Sequence, residues 1–193
     1  MCQQTRNHNS IESLELSLDR INSWISNCDQ KAGLLLATIG VVLAIMFANE
    51  FVTEVKKAIF DPFRGYLENP NLYQFDGRRM LFFISLITTM VLCMLSSFYA
   101  LRSISAKLDS RELKRLNPEM IDNSLLFYVT IASRSFKDFV EESGVDYVKD
   151  LQSQVYVNSN ICTNKFHSYK KALCFFYKVL VSLVVMYVLY LFI

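Results

Sequence analysis

This chain of 193 residues has few histidines, no cysteine spacing typical of a metal site and little net charge. It has 2 histidines and 5 cysteines, and no cysteines stand at CxxC or zinc-finger spacing. The net charge is only +2, whereas a domain that binds nucleic acid carries a strongly basic face. We therefore expect reduced thiols, no metal and no nucleic acid partner.

Recognisable catalytic motifs are also lacking. The sequence has no Gly-rich phosphate loop, no HExxH and no GxSxG, and its paired acids Glu141 and Glu142 lie in a solvated run. We identify no catalytic residue and predict that the protein is not an enzyme. The polar N-terminus MCQQTRNHNS lacks the apolar core of a signal peptide, so we expect it to be retained.

Apolar residues, in contrast, are abundant. They make up 52% of the chain, with a mean hydropathy of +0.25, and they concentrate in blocks at 32–49, 80–101 and 172–193. Because about 20 apolar residues suffice for a helix to cross a bilayer, the sequence predicts an all-α integral membrane protein with three transmembrane helices. Lys178 lies inside the third block, and we interpret it as reaching back to the interface, with pore lining as the alternative.

Residues 1–31 are predicted to form an N-terminal cytoplasmic amphipathic helix. Ser10 is a suitable N-cap, and apolar side chains follow at spacings of three and four, which is typical of one helical face. They are Ile11, Leu14, Leu18, Ile21 and Ile25. Small residues on the first span would let another helix approach closely, which predicts a homo-oligomer; these are Gly33, Ala37, Gly40 and Ala44.

Two polar regions separate the spans. Residues 50–79 contain prolines, turn signals and many aromatic residues, and are predicted to form an extracytoplasmic loop. Residues 102–171 are predicted to form a cytoplasmic helical segment, in which the apolar piece 125–131 is too short to span and is expected to be buried. The N-terminal arm and 102–171 together carry fourteen Lys and Arg, against five in 50–79, so the positive-inside rule predicts this orientation.

Two polar clusters are the candidate functional residues. One comprises Asp29 and Lys31, directly before the first span. The other is a face of the long helix that begins near Val145, with spacings that keep its members on one side: Asp150, Gln154, Asn158, Ile161 and Lys165. A simple structural pair between Asp29 and Lys165 is one interpretation. The alternatives are a signalling latch that includes Lys31, and a contact face for a nucleotide or a protein partner.

At these residues the sequence resembles the Pycsar effector domain family. The run INSWISNCDQKAGLLLATIGVVLAIMF is similar to the opening of that domain, and residues 125–173 are similar to its cytoplasmic helices. The matching positions are Asp29, Lys31, Ala32, Phe127, Ile131, Phe139, Asp150, Leu151, Gln154 and Lys165.

The resemblance implies a membrane effector of bacterial antiphage defence. It would work beside a nucleotide cyclase or polymerase, oligomerise in the inner membrane and disrupt that membrane. A cyclic nucleotide or cyclic oligonucleotide is the implied regulatory ligand, and no cofactor is expected. The alternative function is a membrane-anchored scaffold or immunity protein that binds a protein partner through its cytoplasmic helices. A transporter subunit is disfavoured because Lys178 is the one charge within a span.

Overall fold

The structure, a computed structural model, describes residues 2–68, 77–105 and 146–192, together with 124, 126, 131–133, 135 and 137. The side chains of 2–10, 58, 59 and 62 are not described. The elements are α1 (Cys2–Met46), α2 (Asn49–Val55), a π-helical turn (Lys56–Phe60), α3 (Asp61–Glu68), α4 (Gly77–Ile104) and α5 (Tyr147–Tyr190). The predicted all-α fold class is confirmed.

Three of these helices are long and apolar enough to cross a membrane, as predicted. The first begins earlier than expected, because α1 starts at Cys2 and Ser10 lies inside it rather than capping it. No proline interrupts this part of the sequence, so the amphipathic stretch and the first span form one helix. α5 likewise joins the end of the predicted cytoplasmic segment to the third span.

The prediction of a loop after the first span is wrong for residues 49–68, which are helical. The physical reason is burial: Val55 is 9% exposed and packs with Met46, Phe82 and Met186. The π-helical turn comes just before Pro62, and the Asp61 N–H donates to the Lys56 carbonyl. Such a turn accommodates a residue that has no N–H of its own to donate.

Several predicted features lie outside the described residues. They are the turns expected at 69–77, apart from Gly77 itself, the element expected to start at 117–118, and most of the apolar piece 125–131. Within that piece, Leu126 is 38% exposed and Ile131 is half-buried.

The described chain divides into two compact units. The first contains Met1–Gln30 and Ser105–Phe166, and the second contains Lys31–Ile104 and His167–Ile193. In the second unit the buried positions of α4 form two series with a seven-residue spacing, which is typical of a packed helix seam. One series is Phe82, Thr89, Ser96 and Ser103, and the other is Cys93 and Ala100.

Two hydroxyl groups of α4, those of Thr89 and Ser96, hydrogen-bond to α5 in the second unit, as is common in apolar surroundings. The Ser96 hydroxyl donates to the Ala172 carbonyl at 2.9 Å, and the Thr89 and Ser182 hydroxyls lie 2.7 Å apart. Lys178 Nζ lies 5.3 Å from the centre of the Phe175 ring, one turn earlier on α5. Phe175 is closer than Lys178 to the start of the third span, so the contact agrees with a lysine that reaches back toward the interface.

Candidate functional site

The first unit is built on the apolar face predicted for α1. Ile21 is 8% exposed and Cys28 is fully buried, and the other predicted positions, Ile11, Leu14, Leu18 and Ile25, are half-buried. On α5, Leu151 and Cys162 are buried as well. Burial of apolar surface therefore positions the polar side chains that lie beside this face.

Three hydrogen-bonded polar pairs join α1 to α5 in this unit. They are Tyr147 Oη to Glu15 Oε1 at 2.7 Å, Asn158 Nδ2 to Asn22 Oδ1 at 3.0 Å, and Lys165 Nζ to Asp29 Oδ1 at 2.6 Å. The residue numbers rise together along both helices, so the two helices run parallel here. The three α1 members stand seven residues apart, about two helical turns.

Among the α5 members of these three pairs, Asn158 and Lys165 occupy positions in a series that is otherwise apolar. Counting back from Met186 by sevens gives Val179, Ala172, Lys165, Asn158 and Leu151, and each is buried or half-buried. In helix pairs, polar groups at such core positions specify the register and the partner, at a cost in stability. We therefore expect Asn158 and Lys165 to specify how α5 aligns with α1.

The Asp29–Lys165 pair is the most strongly desolvated of the three. The Lys165 side chain is 7% exposed, while that of Asp29 is 37% exposed. Withdrawing an ammonium group from water is costly unless a counter-charge lies in contact with it. The contact predicted as a structural pair is thus present, and it makes the position of Lys165 dependent on Asp29.

The remaining predicted residues lie in different environments. Asp150 is fully buried, and Gln154 is half-buried, as is Asn158. Lys31 is exposed and has no ion pair among the described residues, so the structure does not bring it to the Asp29–Lys165 contact. The roles of these residues as latch or ligand contacts stay predictions.

Sequence reasoning missed Glu15, Asn22 and Tyr147. The signal was present on α1, because Glu15, Asn22 and Asp29 repeat at the seven-residue spacing of the apolar face beside them. That spacing places them on one face, but nothing in α1 alone identifies the residue opposite each one.

Local electrostatics follow from these contacts. The hydrogen bond to Glu15 raises the pKa of Tyr147, because the carboxylate accepts the phenolic proton and disfavours its loss. Burial raises the pKa of the Cys162 thiol, with a further increase from Cys28, while Lys165 acts in the opposite direction. These surroundings make the thiol a poor nucleophile. The arrangement can therefore hold two helices in register, but it presents no activated nucleophile.

Comparison with known proteins agrees with the resemblance in the sequence. Residues 69–192 match the family described as the Pycsar effector protein domain. The chain is also 31% identical over 159 residues to the Pycsar effector protein GmPycTM of Gulbenkiania mobilis, an alignment that covers 80% of each chain. No solved structure matches. The chain therefore belongs to the Pycsar effector family and is a membrane effector of antiphage defence.

Proposed function

We propose that the chain oligomerises in the bacterial inner membrane and disrupts it under the control of a cyclic nucleotide or cyclic oligonucleotide. A nucleotide cyclase or polymerase of the same defence system would supply the signal. The observation that carries the proposal is the 2.6 Å contact between Lys165 and Asp29. These residues belong to α5 and α1, the helices that also contain the third and first spans.

The three polar pairs support a switch between two arrangements of these helices. Polar and charged groups at core positions, here Asn158 and Lys165, hold one register but add less stability than apolar packing would. A contact of this kind is specific when closed and is opened by a modest input of free energy. The Asp29–Lys165 pair would then act as the latch through which a signal in 102–171 reaches the spans.

The candidate contact residues are already bonded to other protein groups or buried, and this suggests a route for nucleotide control. Lys165 and Asn158 already bind Asp29 and Asn22, and Asp150 is fully buried. A nucleotide phosphate that binds the Lys165 ammonium or the Asn158 amide must therefore displace Asp29 or Asn22 and so separate α1 from α5 at these contacts. Ligand binding and helix separation are then linked, and the nucleotide shifts the equilibrium toward the arrangement it binds more tightly.

The small-residue face of the first span supports the homo-oligomer. A Cβ added at Gly33 or Gly40 would have no heavy atom within 4 Å, and Ala37 and Ala44 are exposed. These residues therefore do not serve packing against the described part of their own chain. Close helix approach in a bilayer relies on such small residues, and a second copy of the chain is the occupant we propose.

Expression in a bacterial host, with and without a co-expressed nucleotide cyclase, tests the function. We expect membrane depolarisation and growth arrest in one of the two conditions, read with a potential-sensitive dye and by culture density. Asp29→Ala should shift the response without preventing insertion, and the charge-swapped double variant Asp29→Lys/Lys165→Asp should restore part of it. Lys31→Ala is the matched control, because Lys31 is exposed, and should behave as the wild type.

The alternative function has a distinct outcome in the same experiment. A scaffold or immunity protein would insert into the membrane and leave growth and membrane potential unchanged under every nucleotide condition. That result, with the protein detected in the membrane fraction, would contradict the effector mechanism and favour the scaffold.

A further inference from the structure

A groove with a volume of about 610 Å³ lies in the second unit, beside the helical segment 49–68. Sites for small ligands typically have about 300–1,000 Å³, so its size suits a specific ligand. Its lining is predominantly apolar: Phe51 and Phe63 come from the helical segment, and Leu86 and Met90 come from α4.

The groove extends along α4 to the depth of lipid acyl chains. α4 begins at Gly77, so Leu86 and Met90 lie about 14 and 20 Å along the helix, at about 1.5 Å per residue. Half of the hydrocarbon core of a bilayer is about 15 Å thick. Because α4 is long and apolar enough to cross a membrane, acyl chains are the apolar groups that surround it at this depth.

The charged residues of the groove indicate a headgroup of negative charge. Lys56, Asp61 and Arg64 are its charged lining residues. Two of the three are basic; Arg64 Nε is 2.9 Å from Glu68, and Asp61 is exposed to water. Lys56 is exposed and has no ion pair among the described residues, so its ammonium group is accessible to an anionic headgroup.

We propose that this groove binds an anionic phospholipid, with one acyl chain along Leu86 and Met90 and the headgroup phosphate at Lys56. The π-helical turn that contains Lys56 directly precedes α3, so the bound lipid would join the segment 49–68 to α4. This site is independent of nucleotide control, because none of the three polar pairs contributes to it.

Fluorescence quenching by brominated lipids tests the site in the full chain. The chain has 1 tryptophan, so Trp24→Phe gives a background without tryptophan. In that background Phe63→Trp reports on the groove, and Met94→Trp is the control because Met94 is 71% exposed on α4 and does not line the groove. The protein is reconstituted in phosphatidylcholine vesicles that contain either brominated phosphatidylglycerol or brominated phosphatidylcholine.

We expect brominated phosphatidylglycerol to quench the tryptophan at 63 more effectively than brominated phosphatidylcholine. Half-quenching should need a mole fraction about fivefold lower, which is the factor expected for one basic residue at an anionic lipid. The tryptophan at 94 should show no preference, and its quenching verifies insertion. Lys56→Gln should abolish the preference at 63. Lys57→Gln should retain it, because Lys57 pairs with Glu54 at 3.4 Å and does not line the groove.

Two results would overturn the proposal. Equal quenching by the two lipids at 63, or a preference that survives Lys56→Gln, would mean that the groove does not select a headgroup. Quenching at 94 with none at 63 by either lipid would mean that protein, such as a second copy of the chain, covers the groove instead.

Discussion

At the scale of single residues, Lys165 is a charged group that is almost completely withdrawn from water. Its side chain is 7% exposed, and its partner Asp29 is 37% exposed. The charge on Lys165 therefore depends on Asp29 for its stability, while the charge on Asp29 retains contact with water. This difference in exposure predicts that the two charges are not equivalent when they are removed singly.

The first prediction is an asymmetric double-mutant cycle at this pair. Asp29→Ala removes the counter-charge at 2.6 Å from a buried ammonium and should destabilise the first unit by about 3–5 kcal/mol. Lys165→Met keeps the apolar stem and leaves a carboxylate that water reaches, so it should cost about 0–1 kcal/mol. Thermal unfolding in detergent, followed by circular dichroism, measures both. The double variant should be more stable than Asp29→Ala, and simply additive effects would mean that the residues are not coupled.

The second prediction concerns the pH dependence of Cys162 alkylation. The thiolate is the reactive form, and burial raises the pKa of this thiol. At a given pH a smaller fraction is thus ionised, so its labelling by a maleimide should keep rising with pH after an exposed cysteine has reached its plateau. A chain with its other cysteines replaced isolates the signal.

A variant that weakens the contact between α1 and α5 supplies the control for this measurement. Asp29→Ala should accelerate the labelling of Cys162, which is 7% exposed in the closed arrangement. A cysteine introduced at the exposed position Gln152 is the reference in the chain that keeps Asp29. Equal labelling rates for this cysteine and for Cys162 would contradict the burial of the Cys162 thiol.

At the scale of elements, α1 and α5 combine an apolar face with polar residues inside it. Asn158 stands in the seven-residue series that also contains Leu151 and Ala172, and it donates to Asn22 at 3.0 Å. Apolar side chains at both positions would bury more hydrophobic surface, but they would fit several registers equally well. The amide pair therefore favours a defined and reversible alignment over maximal stability.

The third prediction follows for this helix pair. The double variant Asn22→Leu/Asn158→Leu should unfold at a higher temperature than the wild type, because Asn158 is half-buried in an otherwise apolar series and leucine there buries more apolar surface. Each single variant should be less stable than the double, since it leaves one amide without its partner. If helix separation transmits the signal, the double variant should also lose the response of membrane potential to nucleotide. A fully retained response would show that these two helices need not separate.

At the scale of the whole molecule, the small-residue face of the first span is the surface that we propose for contact with another copy. Its glycines have space around them, because an added Cβ at Gly33 or Gly40 would have no neighbour within 4 Å. Substitution there should consequently leave the fold of a single chain unchanged. Any effect on function would then report on association between chains.

The fourth prediction is that Gly33→Leu/Gly40→Leu reduces oligomerisation and depolarisation together, while membrane insertion and helix content stay as in the wild type. Chemical cross-linking in membranes measures the oligomer, and a potential-sensitive dye measures depolarisation. Val41→Leu is the control, because Val41 is 60% exposed on the same helix and is not a small residue. Unchanged cross-linking in the double variant would exclude this face as the contact between copies.

The sequence alone determined the fold class, the three apolar helices and the face that α1 buries. These properties depend on the spacing of apolar residues along one helix, and the amino-acid sequence alone gives that spacing. The same local pattern identified Asp29 and Lys165, because each lies shortly before an apolar block. Family membership was also recognisable, from the ordered residues around the first span and along α5.

Only the tertiary structure decided which polar residues meet and which do not. It pairs Asn22 with Asn158 and Glu15 with Tyr147, and it leaves Lys31 exposed. Spacing assigns a residue to a helical face, but its partner depends on the register of a second helix more than a hundred residues away in the chain. The helical segment 49–68 depended on tertiary structure in the same way. Its proline and polar residues predicted a loop, and burial of Val55 against distant helices stabilised a helix.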